Sequence, residues 1–283
     1  MVVTVGVTEL VLQTIRSLKC WSWLKDFLAF GYLEARACIF AGSFFGLLFV
    51  STRVDVPGLH RYDLILIGAL LIQFVLVKSK IESYDELKMI FLFHLIGLAL
   101  ELYKTHPSVG SWSYPEEGLT KVYGVPLYSG FMYSAVGSYI SQAWRLLNLQ
   151  LVNYPNRLIT ILLSGLIYLN FFTNHFMYDF RWWLLVAVVI VFYRSWILFT
   201  PLEKTYRMPA WVSFGLISFF VWIAENISTL FGAWQYPDQA LGWSVVKWHK
   251  IVSWFLLVII CFVIVVDLKY FKAKRNPEAE NGS

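Results

Sequence analysis

The sequence predicts an all-α fold, a polytopic transmembrane helix bundle of about eight spans arranged as two parallel four-helix repeats. Three observations predict it. Hydrophobic residues make up 58% of the 283 residues and charged residues 14%, against roughly 45–50% and about 25% in soluble domains. A water-soluble domain of this length has too little interior for that much apolar surface, whereas a bilayer accepts it. The apolar residues gather into eight runs separated by turn residues such as Pro57-Gly58, Pro107, Pro155-Asn156 and Pro201. A short aromatic motif near the middle of the chain returns near its end.

Each element follows from its run, since a span needs roughly 20 mostly apolar residues and about 17 suffice. The spans fall at about 35–52, 62–78, 87–104, 125–145, 157–174, 181–199, 208–227 and 247–268. Residues 1–34 differ. Val11, Ile15, Leu18, Trp21, Leu24 and Leu28 recur at helical spacing, with Arg16, Lys19 and Lys25 between them, as in an amphipathic helix lying in the membrane interface. The alternative is a long first span. Residues 35–146 and 153–270 form the two repeats, and the polar tail 271–283 reads as a disordered cytoplasmic segment.

Basic residues set the orientation. One side carries Arg16, Lys19, Lys25, Arg36, Lys78, Lys80, Lys88, Arg145, Arg157, Arg194, Lys204, Arg207, Lys269, Lys272, Lys274 and Arg275. The other carries Arg53, Arg61, Lys104, Lys121, Arg181, Lys247 and Lys250. Sixteen against seven places both termini in the cytoplasm. The net charge of +5 is thus a topology signal rather than a nucleic-acid footprint, and no nucleic-acid partner is expected. Cys20, Cys38 and Cys261 lie too far apart for a disulfide framework or a zinc site. The start lacks a basic n-region and a small-residue cleavage site, so no cleavable leader is expected.

Gly110-Ser-Trp-Ser-Tyr-Pro-Glu116 recurs as Gly232-Ala-Trp-Gln-Tyr-Pro-Asp238, an offset of 122 residues. Glu101 and Glu225 precede the copies at span ends. His60-Arg-Tyr-Asp63 is echoed by His175-Phe-Met-Tyr-Asp179, and Arg36 and Arg157 open spans 1 and 5. Four spans per copy is an even number, so the copies are parallel and related by an axis along the membrane normal.

The repeated polar residues fall toward the extracytoplasmic face, while the cytoplasmic halves of the spans read as poor in charge. An intramembrane carboxylate is costly unless it is paired or wet, which makes Glu101 and Glu225 the candidate catalytic pair for acid–base work. Trp112, Tyr114, Trp234, Tyr236 and Tyr133 are the candidate substrate-binding aromatics. His60, Asp63, His175 and Asp179 are the candidate ligands should a divalent metal bind; no cofactor is named by the sequence, and His106 and His249 are weaker members of the set. The bland reading is that Trp and Tyr line a membrane interface, that Glu101 pairs with Lys104, and that His94, in the middle of span 3, bonds a neighbouring helix. Gly130, Ser134, Ser138 and Gln142 form one small-residue row of span 4 and Tyr133, Gly137 and Ser141 a second, which lets helices approach closely.

The stretch from Glu101 to Trp144, with Gly-Ser-Trp-Ser-Tyr-Pro-Glu-Glu and then Val125-Pro-Leu-Tyr-Ser-Gly-Phe-Met-Tyr133, resembles the YoaT-like family of bacterial integral membrane proteins, a family without an assigned activity. More loosely, the span-end Glu, the Gly-aromatic-x-Tyr loop and Val-Pro-Leu are similar to membrane carotenoid hydratases and integral lycopene cyclases, although only Glu116-Glu117 stands near their paired acids. That likeness implies a lipid or isoprenoid ligand and a membrane-embedded enzyme. A small-solute transporter on a 4+4 repeat and a non-catalytic scaffold remain open, as do the substrate and the oligomeric state.

Overall fold

The computed structural model describes residues 2–271, and these are mostly helical. Helices α1 (Val2–Ser17) and α2 (Ser22–Ala37) precede α3 (Ile39–Ser51). Two helices therefore occupy the stretch expected to hold one amphipathic helix, because the chain breaks after Ser17. The expected first span begins inside α2, and the α2–α3 pair bends by 60° at Cys38. Then follow α4 (Arg61–Lys78), α5 (Tyr84–Lys104), α6 (Gly130–Leu146), α7 (Arg157–Thr173), α8 (Arg181–Phe192), α9 (Ala210–Leu230) and α10 (Lys250–Val266), the last continued by a π-helical turn through Phe271. The expected tail lies outside the described residues beyond 271.

Local signals account for the boundaries. Ser83 and Glu86 form a capping box at the start of α5: Glu86 N–H donates to Ser83 Oγ (3.2 Å) and Ser83 N–H to Glu86 Oε2 (2.8 Å). Asn156 caps α7 by accepting from Leu158 N–H at 2.9 Å. Strands β1 (Lys121–Val122) and β2 (Val125–Pro126) make a hairpin whose two turn residues, Tyr123 and Gly124, both have positive φ. Span 6 differs from expectation. Its helix stops at Phe192, and Trp196–Phe199 is a strand, β4, between β3 (Gln150–Val152) and β5 (Tyr206–Pro209). A four-residue Trp-Ile-Leu-Phe run suits a strand as well as a helix, and Pro201 closes it.

Helices α6 and α10 form the centre. α6 packs on α2, α3, α5 and α10, while α10 packs on α6, α7, α8 and α9. Exchanging each helix for the one four places away turns the pairs α3–α4, α5–α6, α3–α6 and α3–α9 into α7–α8, α9–α10, α7–α10 and α7–α5, all of which are in contact. α10 is apolar on every side because it is enclosed: Phe255 to Val263 are all buried. α6 is enclosed in another way, through small residues. Phe93 of α5 fills the space beside Gly137, Tyr133 of α6 fills the space beside Gly97, and Ser134 Oγ donates to Ile90 O at 2.9 Å.

Among the described residues, α9 and the 250–269 segment are long and apolar enough to cross a membrane, and the bent α2–α3 pair is a third if it counts as one span. α7 and α8 are apolar but shorter.

Candidate functional site

One end of the bundle holds the last turns of α5 and α9, the loops 105–124 and 231–249 that follow them, and the loop 174–180. Glu101 and Glu225, in those last turns, are 2% and 3% exposed. Glu101 is enclosed by donors: Trp112 Nε1–H (2.7 Å) and Tyr114 O–H (2.8 Å) reach Oε2, and Tyr133 O–H reaches Oε1 at 2.8 Å. Glu225 accepts from Tyr236 O–H at 2.5 Å and from Trp254 Nε1–H at 2.8 Å. Burial and the adjacent carboxylates hold the Tyr114 and Tyr236 hydroxyls well above the ordinary phenol range, so both are donors at any physiological pH.

The two aromatic loops meet. Ser113 and Gln235 exchange backbone hydrogen bonds of 2.9 Å in each direction, and these residues hold the same position in the two copies of the motif. Trp112 packs edge-on against Tyr236 with centroids 6.1 Å apart. The Lys250 ammonium lies 4.4 Å from the Tyr236 ring centroid and 5.5 Å from that of Trp112. Beside them opens a cavity of about 210 Å³. Glu225, Lys250, Lys104 and Arg181 line it together with Trp112, Tyr133, Tyr236, Trp254, His175 and Asp179. Glu101 stands behind its own donors, and Glu225 and Asp179 are the carboxylates of the cavity wall.

Of the nine other residues singled out from sequence, Tyr114 and Tyr133 join Glu101, Trp112 and Tyr236 join the cavity, and Trp234 goes elsewhere. It is buried in an apolar cluster with Tyr62, Tyr114 and Tyr128, and Trp254 supplies the indole N–H that the repeat pattern assigns to it. His60 and Asp63 are also apart from the cavity wall. Asp63 ties the 105–124 loop to α4 by accepting from Leu119 N–H (2.8 Å), Thr120 N–H (2.8 Å) and Thr120 Oγ–H (2.5 Å). His175 and Asp179 do line the cavity. His175 Nε2 is 3.1 Å from Ser111 Oγ, and Asp179 holds Arg181 at 2.8 Å. Burial, with Lys104 and Lys250 nearby, pushes the His175 imidazole below its usual range, so it is neutral at pH 7. Among the described residues no group of three or more His, Cys, Asp or Glu could hold a metal ion.

The opposite end of α5 and α6 corrects the expectation of a charge-poor half. Glu82 and Glu86 are 1% and 4% exposed. Lys269 (3.1 Å) and Arg145 (3.5 Å) pair with Glu86. Glu82 instead accepts from neutral donors, the Ser138 hydroxyl and the Gln73 amide. Glu86 and Glu101 are fifteen residues apart on one helix, so the two ends are about 22 Å apart. Burial pushes the Glu82 carboxyl above the usual carboxylate range, and Glu86 adds to this. A raised folded-state pKa means that folding takes up a proton. That stability is full below the unfolded value of about 4.3 and is lost as pH rises through the folded value. Glu82→Gln keeps bonding capacity for Ser138 and Gln73 without the charge. It is therefore expected to raise the melting temperature at pH 7–8 and to flatten its fall from acid to neutral pH. Melts of both proteins in detergent across that range check this, and a lower melting temperature for the variant at pH 8 would refute it.

Sequence reasoning placed Lys104, Arg181 and Lys250 among topology signals and passed over Trp254. Their signal was ionisable residues bordering apolar runs, with Trp254 one turn beyond Lys250. Comparison with known proteins adds kinship. The uncharacterized protein YoaT of Bacillus subtilis (strain 168) is 51% identical over 257 residues, 91% of this chain and 97% of that one. No solved structure matches. Residues 26–262 match the model of a family described as a protein of unknown function, DUF817, and with most of its length covered the chain belongs to that family.

Proposed function

We propose that this chain is a multi-pass protein of the bacterial cytoplasmic membrane, with about eight spans as two four-helix units, whose extracytoplasmic cavity carries out acid–base chemistry on a lipid or isoprenoid. Glu225 is the acid–base group and Glu101 a positioning residue. The observation that carries this reading is the presence of both Glu225 and Lys250 on the wall of one cavity, a carboxylate and an amine within a shared aromatic enclosure. The membrane setting is supported by outward-facing Leu158, Leu162, Leu166 and Leu169 on α7 and Trp182, Trp183, Val186 and Ile190 on α8, an apolar surface that water does not tolerate. The two-unit reading is supported by the helix pairs that recur four helices apart and by the Ser113–Gln235 bridge.

Glu101 has three neutral donors around it and stands outside the cavity wall, so its part is to fix Trp112 and Tyr133 where they border the cavity. Buried charge at the opposite end of α5 and α6 favours a second reading, a small-solute transporter, because transport needs polar groups along the whole path.

Two measurements test the proposal. A Ser113→Cys protein should react with an impermeant thiol reagent in intact cells; reaction only after the membrane is broken would reverse the orientation. Lipid extracts of cells producing the wild-type protein should differ from those of cells producing Glu225→Gln at comparable abundance. Matching extracts would remove the enzyme reading.

A further inference from the structure

We infer that the cavity takes an anionic group, a phosphate or a carboxylate, held by Lys104, Arg181 and Lys250. The inference rests on the reading of this cavity as the functional site.

The argument is one of compensation. Lys104 is 5% exposed, and its ammonium donates to a neutral acceptor, Asn174 Oδ1, at 2.9 Å. Lys250 faces the rings of Tyr236 and Trp112, and a ring face replaces only part of the hydration an ammonium loses. Among the described residues neither lysine forms an ion pair. Arg181 gives one terminal nitrogen to Asp179, while its Nε–H is buried with no partner among the described residues. A guanidinium N–H left without an acceptor inside a protein marks a place where an acceptor belongs.

The carboxylates at hand are committed. Asp179 accepts from Arg181, from the Arg181 backbone N–H at 3.0 Å and from Asn170 at 3.2 Å. Glu225 accepts from Tyr236 and Trp254. The wall thus holds three cations against two carboxylates, and the cations repel one another across the cavity. Arg181 and Lys250 are also the first residues of α8 and α10, so two helix N-termini add partial positive charge. Ser111 and Ser253 offer neutral hydroxyls on the same wall.

Size narrows the ligand. About 210 Å³ is below the roughly 300–1,000 Å³ of pockets that enclose whole drug-sized ligands. The space suits a head group or a small acid, with any lipid tail left outside among the apolar helices.

The test uses the full-length protein in detergent, with inorganic phosphate and acetate as soluble probes against chloride at equal ionic strength. Lipid nanodiscs of phosphatidylcholine with or without phosphatidic acid serve as the membrane-borne probe. The melting temperature should rise with at least one of the three anions in the wild-type protein. The apparent affinity should fall at least tenfold in Lys250→Met and in Arg181→Lys, and should stay unchanged in Lys88→Gln on the exposed start of α5. A response to soluble anions identifies a solute, and a response to phosphatidic acid alone identifies a lipid head group. No response to any anion, or an equal response in wild type and both cavity variants, overturns the inference. Should one cavity variant fail to fold, the other decides. Glu225→Gln separates the two readings. Anion binding that survives in it while the lipid extract changes supports both. Absent anion binding beside an altered extract removes this inference alone.

Discussion

Alanine at position 101 is expected to yield almost no folded protein, while glutamine at the same position yields near-normal amounts. Glu101 is the common acceptor of Trp112, Tyr114 and Tyr133, drawn from one loop and from α6. Removing it strands three buried donors, each costing about 1–3 kcal/mol. Their sum is comparable with the roughly 5–15 kcal/mol that holds a typical domain together. Glutamine retains a carbonyl for Trp112 and Tyr114, and its NH₂ can donate to the Tyr133 oxygen. The partners are neutral, so removing the charge strands no cation. Gel filtration of tagged protein from detergent extracts, comparing the monodisperse peak of Glu101→Ala, Glu101→Gln and wild type, measures the difference. Equal peaks for alanine and wild type would show that the three donors find other partners and that Glu101 does not order the site.

The second large effect is expected at Gly97. A Cβ there would sit 2.5 Å from Cγ and 2.8 Å from Cβ of Tyr133, atoms near the backbone that cannot swing aside. Either α5 and α6 separate or Tyr133 leaves its rotamer and releases Glu101. Overpacking of this kind costs about 1–3 kcal/mol. Gly97→Ala should therefore lower the melting temperature by several degrees and should weaken any property that depends on the cavity, because Tyr133 is one of its walls. Gly46→Ala in α3, where a Cβ meets nothing within 4 Å, is the control and should melt like the wild type. A Gly97→Ala protein as stable as that control would show that the α5–α6 contact is looser than its geometry.

Much of the helix layout was legible in the sequence. The expected runs 62–78, 157–174 and 208–227 became Arg61–Lys78, Arg157–Thr173 and Ala210–Leu230, because apolar runs and their caps are local signals. Trp196–Phe199 was read as helix because four apolar residues do not distinguish a strand from the end of a span. Glu101, Tyr114, Glu225 and Tyr236 were legible from the repeated motif. The tryptophans were not, since Trp112 and Trp254 fill corresponding roles from different elements while Trp234 packs inward. The Tyr-Asp echo misled for a similar reason. Arg61 and Arg181 begin their helices 120 residues apart, whereas Asp63 and Asp179 are 116 apart, so the two aspartates are four residues out of step. The Glu82–Glu86 cluster was invisible because its members come from α4, a turn, the start of α5, α6 and the π-helical turn after α10, and only packing brings them together.

The enclosure of α10 bears on how the molecule is made. Synthesis runs from the N-terminus, so α10, which touches α6, α7, α8 and α9, leaves the ribosome after all four of them. Until then its neighbours lack the helix on which they all pack. The Glu225 carboxylate lacks the Trp254 indole, and the cavity lacks Lys250, Ser253 and Leu257. A nascent chain stopped between residues 225 and 250 carries both glutamates but neither α10 nor the part of the cavity wall that α10 supplies. The order of translation thus keeps the site unformed until the chain has been made through Leu257.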